Sequence, residues 1–172
     1  MRALFVLLLL VGTLPASAEK VPFSKARFSV EMPADWKKGK GPDDGNILSY
    51  DAPDGGGTFS IYELAVAKDH RANLEGTLEE RVKSIAKAKL KVTADVKGQK
   101  QDNFDGKPAV FAVIPVEATH AGEVIKFRYY LVLIDAKDAV IIMQAVLPSP
   151  LPKKLQEAAL GIIRSFREKG HK

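Results

Sequence analysis

Histidine, aspartate, glycine and lysine are the residue types in this sequence whose spacing could carry chemistry. His70 follows Asp69, and a carboxylate beside an imidazole can orient it for base work. The same pair in a polar stretch ahead of a helix also reads as an ordinary loop. His120 falls in a hairpin turn and His171 in a polar tail. No two histidines stand at ligand spacing and there is no H-E-x-x-H, so no zinc site is expected. Asp43-Asp44-Gly45 and Asp51-Ala52-Pro53-Asp54-Gly55 gather carboxylates. Hard cations want six or more oxygens, however, and the D-x-D-x-D-G spacing is missing; turn-forming aspartates account for both segments. Gly55-Gly56-Gly57 lacks the G-K-[ST] of a phosphate loop and sits between two predicted strands, the place of a hairpin loop. There is no G-x-S-x-G elbow for a serine nucleophile. The expectation is no catalytic residue, no metal and no cofactor, hence not an enzyme. A hydrolase is the weakest alternative, and it requires His70 and several carboxylates in one concave cluster.

Residues that could bind are easier to find. Trp36, the single tryptophan, with Tyr50 and Tyr62 on neighbouring predicted strands, could line a pocket or a sticky patch, since aromatics are enriched at binding hot spots. A tryptophan capping the edge of a core is the plainer reading. Lys83, Lys87 and Lys91 recur every four residues on a predicted helix, with Lys89, Lys97 and Lys100 nearby. That stripe could touch anionic lipid or an acidic partner, or be only a solvated face. Lys126-Phe127-Arg128-Tyr129-Tyr130 mixes basic and aromatic residues as single-strand nucleic-acid binders do, but strand alternation explains it without a ligand.

The elements that position these residues begin after an export signal. Met1-Arg2, an apolar run from Ala3 to Val11, a helix-breaking Gly12-Thr13-Leu14-Pro15 and the small Ala16-Ser17-Ala18 are the three regions of a secretory signal in order. The run is too short for a span of roughly 20 residues. Residues 1–18 are therefore expected to be removed, leaving 19–172 as a single domain that is periplasmic or secreted. A chain of that size buries about 70% of its unfolded surface and needs no staples. With no cysteine it has no disulfide, no thiolate zinc site and no lipid-anchoring thiol. The formal charge of +5 is spread among acidic residues. It implies at most weak contact with an anionic membrane surface, and export argues against nucleic acid. A monomer is expected.

Along the domain, Glu19–Ala26 reads as a frayed lead-in. Phe28–Met32, Asn46–Asp51 and Thr58–Val66 read as an antiparallel meander. Thr77-Leu78-Glu79-Glu80 is a capping box opening a helix to Lys91, with Leu78, Val82, Ile85, Ala86 and Leu90 on one face. Val96–Asn103 is a poor strand. Pro108–Ala118, Glu123–Ile134 and Ala139–Leu147 are three strong ones. Leu155, Ala159, Ile162, Ile163 and Phe166 mark a second helix behind Pro152, followed by a solvated tail from Lys169. The three late strands are apolar on both alternating faces, and such strands must be covered on both sides.

Several local phrases are similar to those of a known family. Phe28-Ser29-Val30-Glu31-Met32-Pro33-Ala34-Asp35-Trp36, Asp105-Gly106-Lys107-Pro108-Ala109 before a long hairpin, and Ile163-Arg164-Ser165-Phe166 resemble the PsbP-like superfamily. That group includes exported bacterial DcrB-type proteins and a Ran-binding nuclear import factor. The resemblance implies an α+β fold, an antiparallel sheet of six to seven strands sandwiched between helices. It implies no activity, because members mostly bind other proteins or assist large assemblies, and no binding motif carries over by residue. The expected role is a non-catalytic domain that binds a protein partner in the cell envelope. The alternative is a carrier of a lipid or other small apolar ligand held between helix and sheet.

Overall fold

The computed structural model describes residues 18–41, 45–67, 72–88 and 90–170, with residues 102 and 103 described by their backbone alone. In chain order the strands and helices are β1 (Ala18–Phe23), β2 (Phe28–Pro33), β3 (Lys37–Lys38), β4 (Leu48–Asp51), β5 (Thr58–Ala65), α1 (Leu74–Lys87), β6 (Lys91–Val92), β7 (Gln99–Phe104), β8 (Lys107–His120), β9 (Glu123–Asp135), β10 (Ala139–Pro148), α2 (Lys153–Arg164) and β11 (Arg167–Glu168). The signal expected at the start of the sequence lies outside the described residues, apart from Ala18 at the head of β1.

The main sheet runs β3-β4-β5-β10-β9-β8, antiparallel throughout. β7 and β6 share the outer edge of β8, β7 along Lys107–Phe111 and β6 at Val116 and Glu117. β3 and β6 are only two residues long, so six strands carry the sheet, within the six to seven that the family resemblance implies. β10 sits in the middle, between β5 and β9. Its side chains split by parity. Ile141, Met143, Ala145 and Leu147 join one buried cluster with α2, while Val140 and Ile142 join another with α1. The expected α/β/α arrangement is therefore present.

The α2 side has a second component. β1, β2 and β11 form a small antiparallel sheet of their own, and Phe23, Phe28, Val30 and Met32 pack with Ala159, Ile162, Ile163 and Phe166. The Phe28 and Phe166 rings stack with centroids 5.4 Å apart, and Phe23 lies 5.6 Å from Phe28. Fully burying a side chain of this size contributes roughly 1.5–3 kcal/mol before ordering entropy is subtracted.

Four expectations change. Glu19–Phe23 is not a frayed lead-in but most of β1, because Val21 and Phe23 have an apolar layer to enter. Of the three-stranded meander only its second and third strands pair, Leu48 with Ile61 and Tyr50 with Phe59. β2 is buried at Phe28, Ser29, Val30 and Met32, which suits a strand inside a covering layer better than a half-wet neighbour of β4. α1 starts one turn before the Thr77 capping box. Asn73 is the cap, its side chain accepting from the Gly76 N–H at 2.9 Å, while the Thr77 hydroxyl donates to the Asn73 carbonyl at 2.8 Å. The helix ends at Lys87, so Lys91 lies in β6. At the far end, Lys169 is not yet tail, since its N–H donates to the Arg27 carbonyl at 2.8 Å.

A knot of charge ties the layers together at the end of the sandwich where β11 closes on β2. Lys107 opens β8 after Asp105 and Gly106, both at positive φ (55° and 71°), as a tight type I′ hairpin requires. Its side chain is 7% exposed, and the ammonium meets Glu168 Oε2 at 2.5 Å. The other oxygen of Glu168 accepts from Arg27 Nε at 2.8 Å. Arg27 Nη1 also reaches both Asp138 oxygens, at 2.7 and 2.8 Å, and Nη2 donates to the Ala136 carbonyl. Asp105 accepts from the Glu168 N–H at 2.8 Å. Two cations from separate turns thus meet at one carboxylate, and Arg27 carries the link on to Asp138. Burial pushes the Glu168 carboxyl up, but Lys107 and then Arg27 outweigh that and hold it below the usual carboxylate range.

A carboxylate depressed on folding gives stability that is fully present above its unfolded pKa and is lost as pH falls through its folded one. Wild-type unfolding free energy, measured by denaturant titration, should therefore decline as pH drops below the ordinary glutamate range. Glu168→Gln strands the buried Lys107 ammonium. It should cost about 3 kcal/mol at neutral pH and flatten that acid slope; an unchanged slope overturns the assignment.

Candidate functional site

Trp36, Tyr50 and Tyr62 do not converge. Trp36 ends the turn after β2, its N–H bonded to the Pro33 carbonyl, and is 5% exposed inside the α2-side core. Tyr50 is half-buried against the same core, and burial raises its phenol pKa, with Glu19 adding to the effect. Tyr62 is on the opposite face of the sheet, in the α1-side core. There the Arg81 guanidinium lies 4.5 Å over its ring and donates twice to the buried Gln144 side chain, at 2.8 and 3.0 Å. This is a satisfied polar inclusion between α1 and β10.

The lysines separate as well. Lys83 and Lys87 are exposed on α1, and Lys83 pairs with Glu80 at 2.7 Å. Lys91 belongs to β6 and faces Glu117 at 3.7 Å. The three do not form one helical stripe. Phe127, Tyr129 and Tyr130 pack into the two cores, which leaves the basic-aromatic run no stacking platform. Asp51–Gly57 is a hairpin loop, as expected. Ala52 N–H bonds to the Gly57 carbonyl, and a Cβ at Gly57, whose φ is +149°, would strike the Val146 carbonyl. Asp43, Asp44, Asp69, His70, Lys89 and His171 lie outside the described residues. His120 is exposed beside the β8–β9 turn.

Two features stand out that residue types alone did not reveal. The first is the tip of the β8–β9 hairpin. β6 stops pairing at Glu117, and β10 reaches only Phe127 with a last backbone bond from Ser149 to Lys126. Beyond those points the ribbon has no neighbouring strand among the described residues. Val124 and Ile125 there are 58% and 49% exposed, opposite Thr119 and Ala118.

The second is a cleft of about 480 Å³ between α2 and the β7–β8–β9 part of the sheet. Its apolar wall comprises Phe104, Phe111, Val113, Tyr130 and Leu160, with Phe111 and Tyr130 6.5 Å apart. Gln99 and Gln101 from β7, Gln156 and Arg164 from α2, and Arg128 from β9 supply the polar part. On α2, Gln156, Leu160, Ile163 and Arg164 recur at helical spacing, a stripe beside the core-facing one. The sequence carried that signal, but it reads as a boundary between wet and dry faces unless the sheet opposite is known to stop short.

No protein-family model matches the sequence, and no curated protein matches it. Solved structures do. The solution structure of cyanobacterial PsbP (CyanoP) from Synechocystis sp. PCC 6803 superposes with a TM-score of 0.64 over 91% of this chain and 95% of that one, at 11% identity. The chain has the PsbP-like fold. A crystal structure from Bacteroides thetaiotaomicron VPI-5482 superposes with a TM-score of 0.59 at 13% identity, over 91% of this chain and 49% of that one.

At such identities the PsbP-like likeness is one of architecture, and function has to be argued from sites. It does explain the family-like phrases found in the sequence, since each is structural here. Asp105-Gly106-Lys107 builds the charge knot, Phe166 fills the core, and the segment ending at Trp36 turns β2 out of the covering layer. Trp36, as sole tryptophan, reports this directly. Its emission should be blue-shifted in the native protein and resist iodide quenching, then move red in one step on unfolding. A native spectrum like that of free tryptophan would place the side chain in solvent and overturn the packing.

Proposed function

We propose that this chain acts outside the cytoplasm as a non-catalytic domain that binds a protein partner in the cell envelope. The observation that carries the reading is the projecting hairpin tip, where Val124 and Ile125 stand in water on a ribbon whose β8–β9 pairing runs up to the turn. Scattered exposed apolar residues are ordinary. Two adjacent β-branched ones, pointing to opposite faces of a ribbon beyond both covering layers, offer a partner an anchor on either face. The ordering entropy of that anchor is already spent, which favours tight association. The sequence resemblance adds that proteins of this group mostly bind other proteins. The exposed Lys83 and Lys87 remain secondary contact points for an acidic surface.

Two measurements bear on this. Produced with its own N-terminus in a Gram-negative bacterium, the protein should appear in the periplasmic fraction with an intact mass that begins at Glu19. Full-length protein confined to the cytoplasm would sink the export part. For the partner, a photo-crosslinking residue at position 124 should trap one defined envelope protein, and the same group at the exposed position 154 should not. Val124→Glu with Ile125→Glu should reduce that capture at least tenfold while unfolding free energy stays within about 0.5 kcal/mol of wild type. Equal trapping from both positions, or none from 124, overturns the reading.

A further inference from the structure

The α2–sheet cleft has a lining that selects for a kind of occupant. Its wall is aromatic and aliphatic, its polar side chains are two guanidinium groups and three carboxamides, and no carboxylate is among the described residues that line it. Arg128 and Arg164 make no side-chain ion pair among the described residues. Both are exposed to solvent, whereas the half-buried Arg27 near the same layer is tied to two carboxylates. The charge of Arg27 is neutralised inside the protein, while those of the two at the cleft are open to a ligand from solution. The volume is within the range of small-ligand sites, which run from about 300 to 1,000 Å³ with mostly apolar walls and a few directing polar groups.

We infer that this cleft is a binding site for a soluble single-chain amphipathic anion. The apolar chain lies along Phe111, Tyr130 and Leu160, and the acid head group is held by Arg128 and Arg164. Each element of the site has a separable role. Burial of the tail against the wall gives affinity in proportion to the apolar area removed from water. The planar guanidinium forks match a carboxylate and reject a cationic head on the same tail. The glutamine amides donate to the head group without adding charge. The apolar wall lies away from the hairpin tip in register, because Phe111 pairs with Val132 while Val124 pairs with Thr119; Arg128 lies three residues along β9 from Ile125. The site does not depend on the partner-binding role of that tip.

The test uses the mature protein with laurate and, as a matched cation, dodecyltrimethylammonium. Laurate should bind saturably with one-to-one stoichiometry by calorimetry, at least tenfold more tightly than the cation. It should shift backbone amide resonances of Phe111, Tyr130 and Leu160. Arg128→Gln with Arg164→Gln should weaken laurate at least tenfold and erase the preference over the cation, with no change in the thermal midpoint of the unliganded protein. Leu160→Trp, which fills the cleft, should abolish binding. The Val124→Glu, Ile125→Glu variant should bind laurate normally, so failure of the hairpin reading and failure of this one are distinguishable. Equal affinity for the two amphiphiles, unaltered laurate binding in the double arginine variant, or resonance shifts confined to another surface would each overturn the inference.

Discussion

β10 has almost no side that water could wet. From Val140 to Met143 four consecutive large apolar side chains leave alternately toward α1 and toward α2, and the neighbouring stretch of β9 from Leu131 to Ile134 does the same. A central hairpin of that composition is unstable at any surface, because whichever face is left open exposes a continuous apolar strip. Every other element answers to that condition. α1 closes one face. On the other, α2 covers one part and the small β1–β2–β11 sheet seats against its flank to cover more. The polar residues that do enter are matched in place, Gln144 by Arg81 on one side, Ser49 by Ser60 between adjacent strands.

Where the cover runs out, the chain shows its surfaces. The α2 layer reaches the sheet over β10 and stops short of the β7–β8 edge, which leaves the cleft. Neither layer follows the β8–β9 ribbon to its end, which leaves the tip. At the opposite end the layers are joined by charge, with Lys107 and Glu168 largely withdrawn from solvent. Such a pair adds little net stability over an apolar substitute. It fixes which turn meets which strand, since a shift of register would leave a charge buried without its partner.

How much of this can be read from residues alone depends on the range of the interaction. The late strands and both helices are visible because alternation and helical spacing are local, and their two-sided apolarity already demands an α/β/α stack. β1 is not legible because Ala18–Phe23 alternates weakly and its burial is completed by α2 and Phe166, far along the chain. The membership of β2 in a separate sheet was hidden for the same reason. The extra turn of α1 is not legible because Asn73 caps from outside the Thr77 box, and both signals are present in one short stretch. Among the candidate binders, Trp36 and Tyr62 look alike in sequence, and only strand pairing shows that they occupy opposite faces. The cleft is a difference between the length of a helix and the width of a sheet, which no single segment encodes.

The pairing of β11 with β2 carries a kinetic corollary. Arg167 and Glu168 meet Ser29 and Phe28 across nearly the whole length of the domain, so the contact that seals one layer is also among the most distant in sequence. Contacts of that separation are slow to form because chain entropy must be lost before any of them is rewarded. Until residue 168 arrives, β2 keeps an open ladder edge and Lys107 has no anion. The β1–β2 layer therefore gets its closing strand only from the far end of the domain.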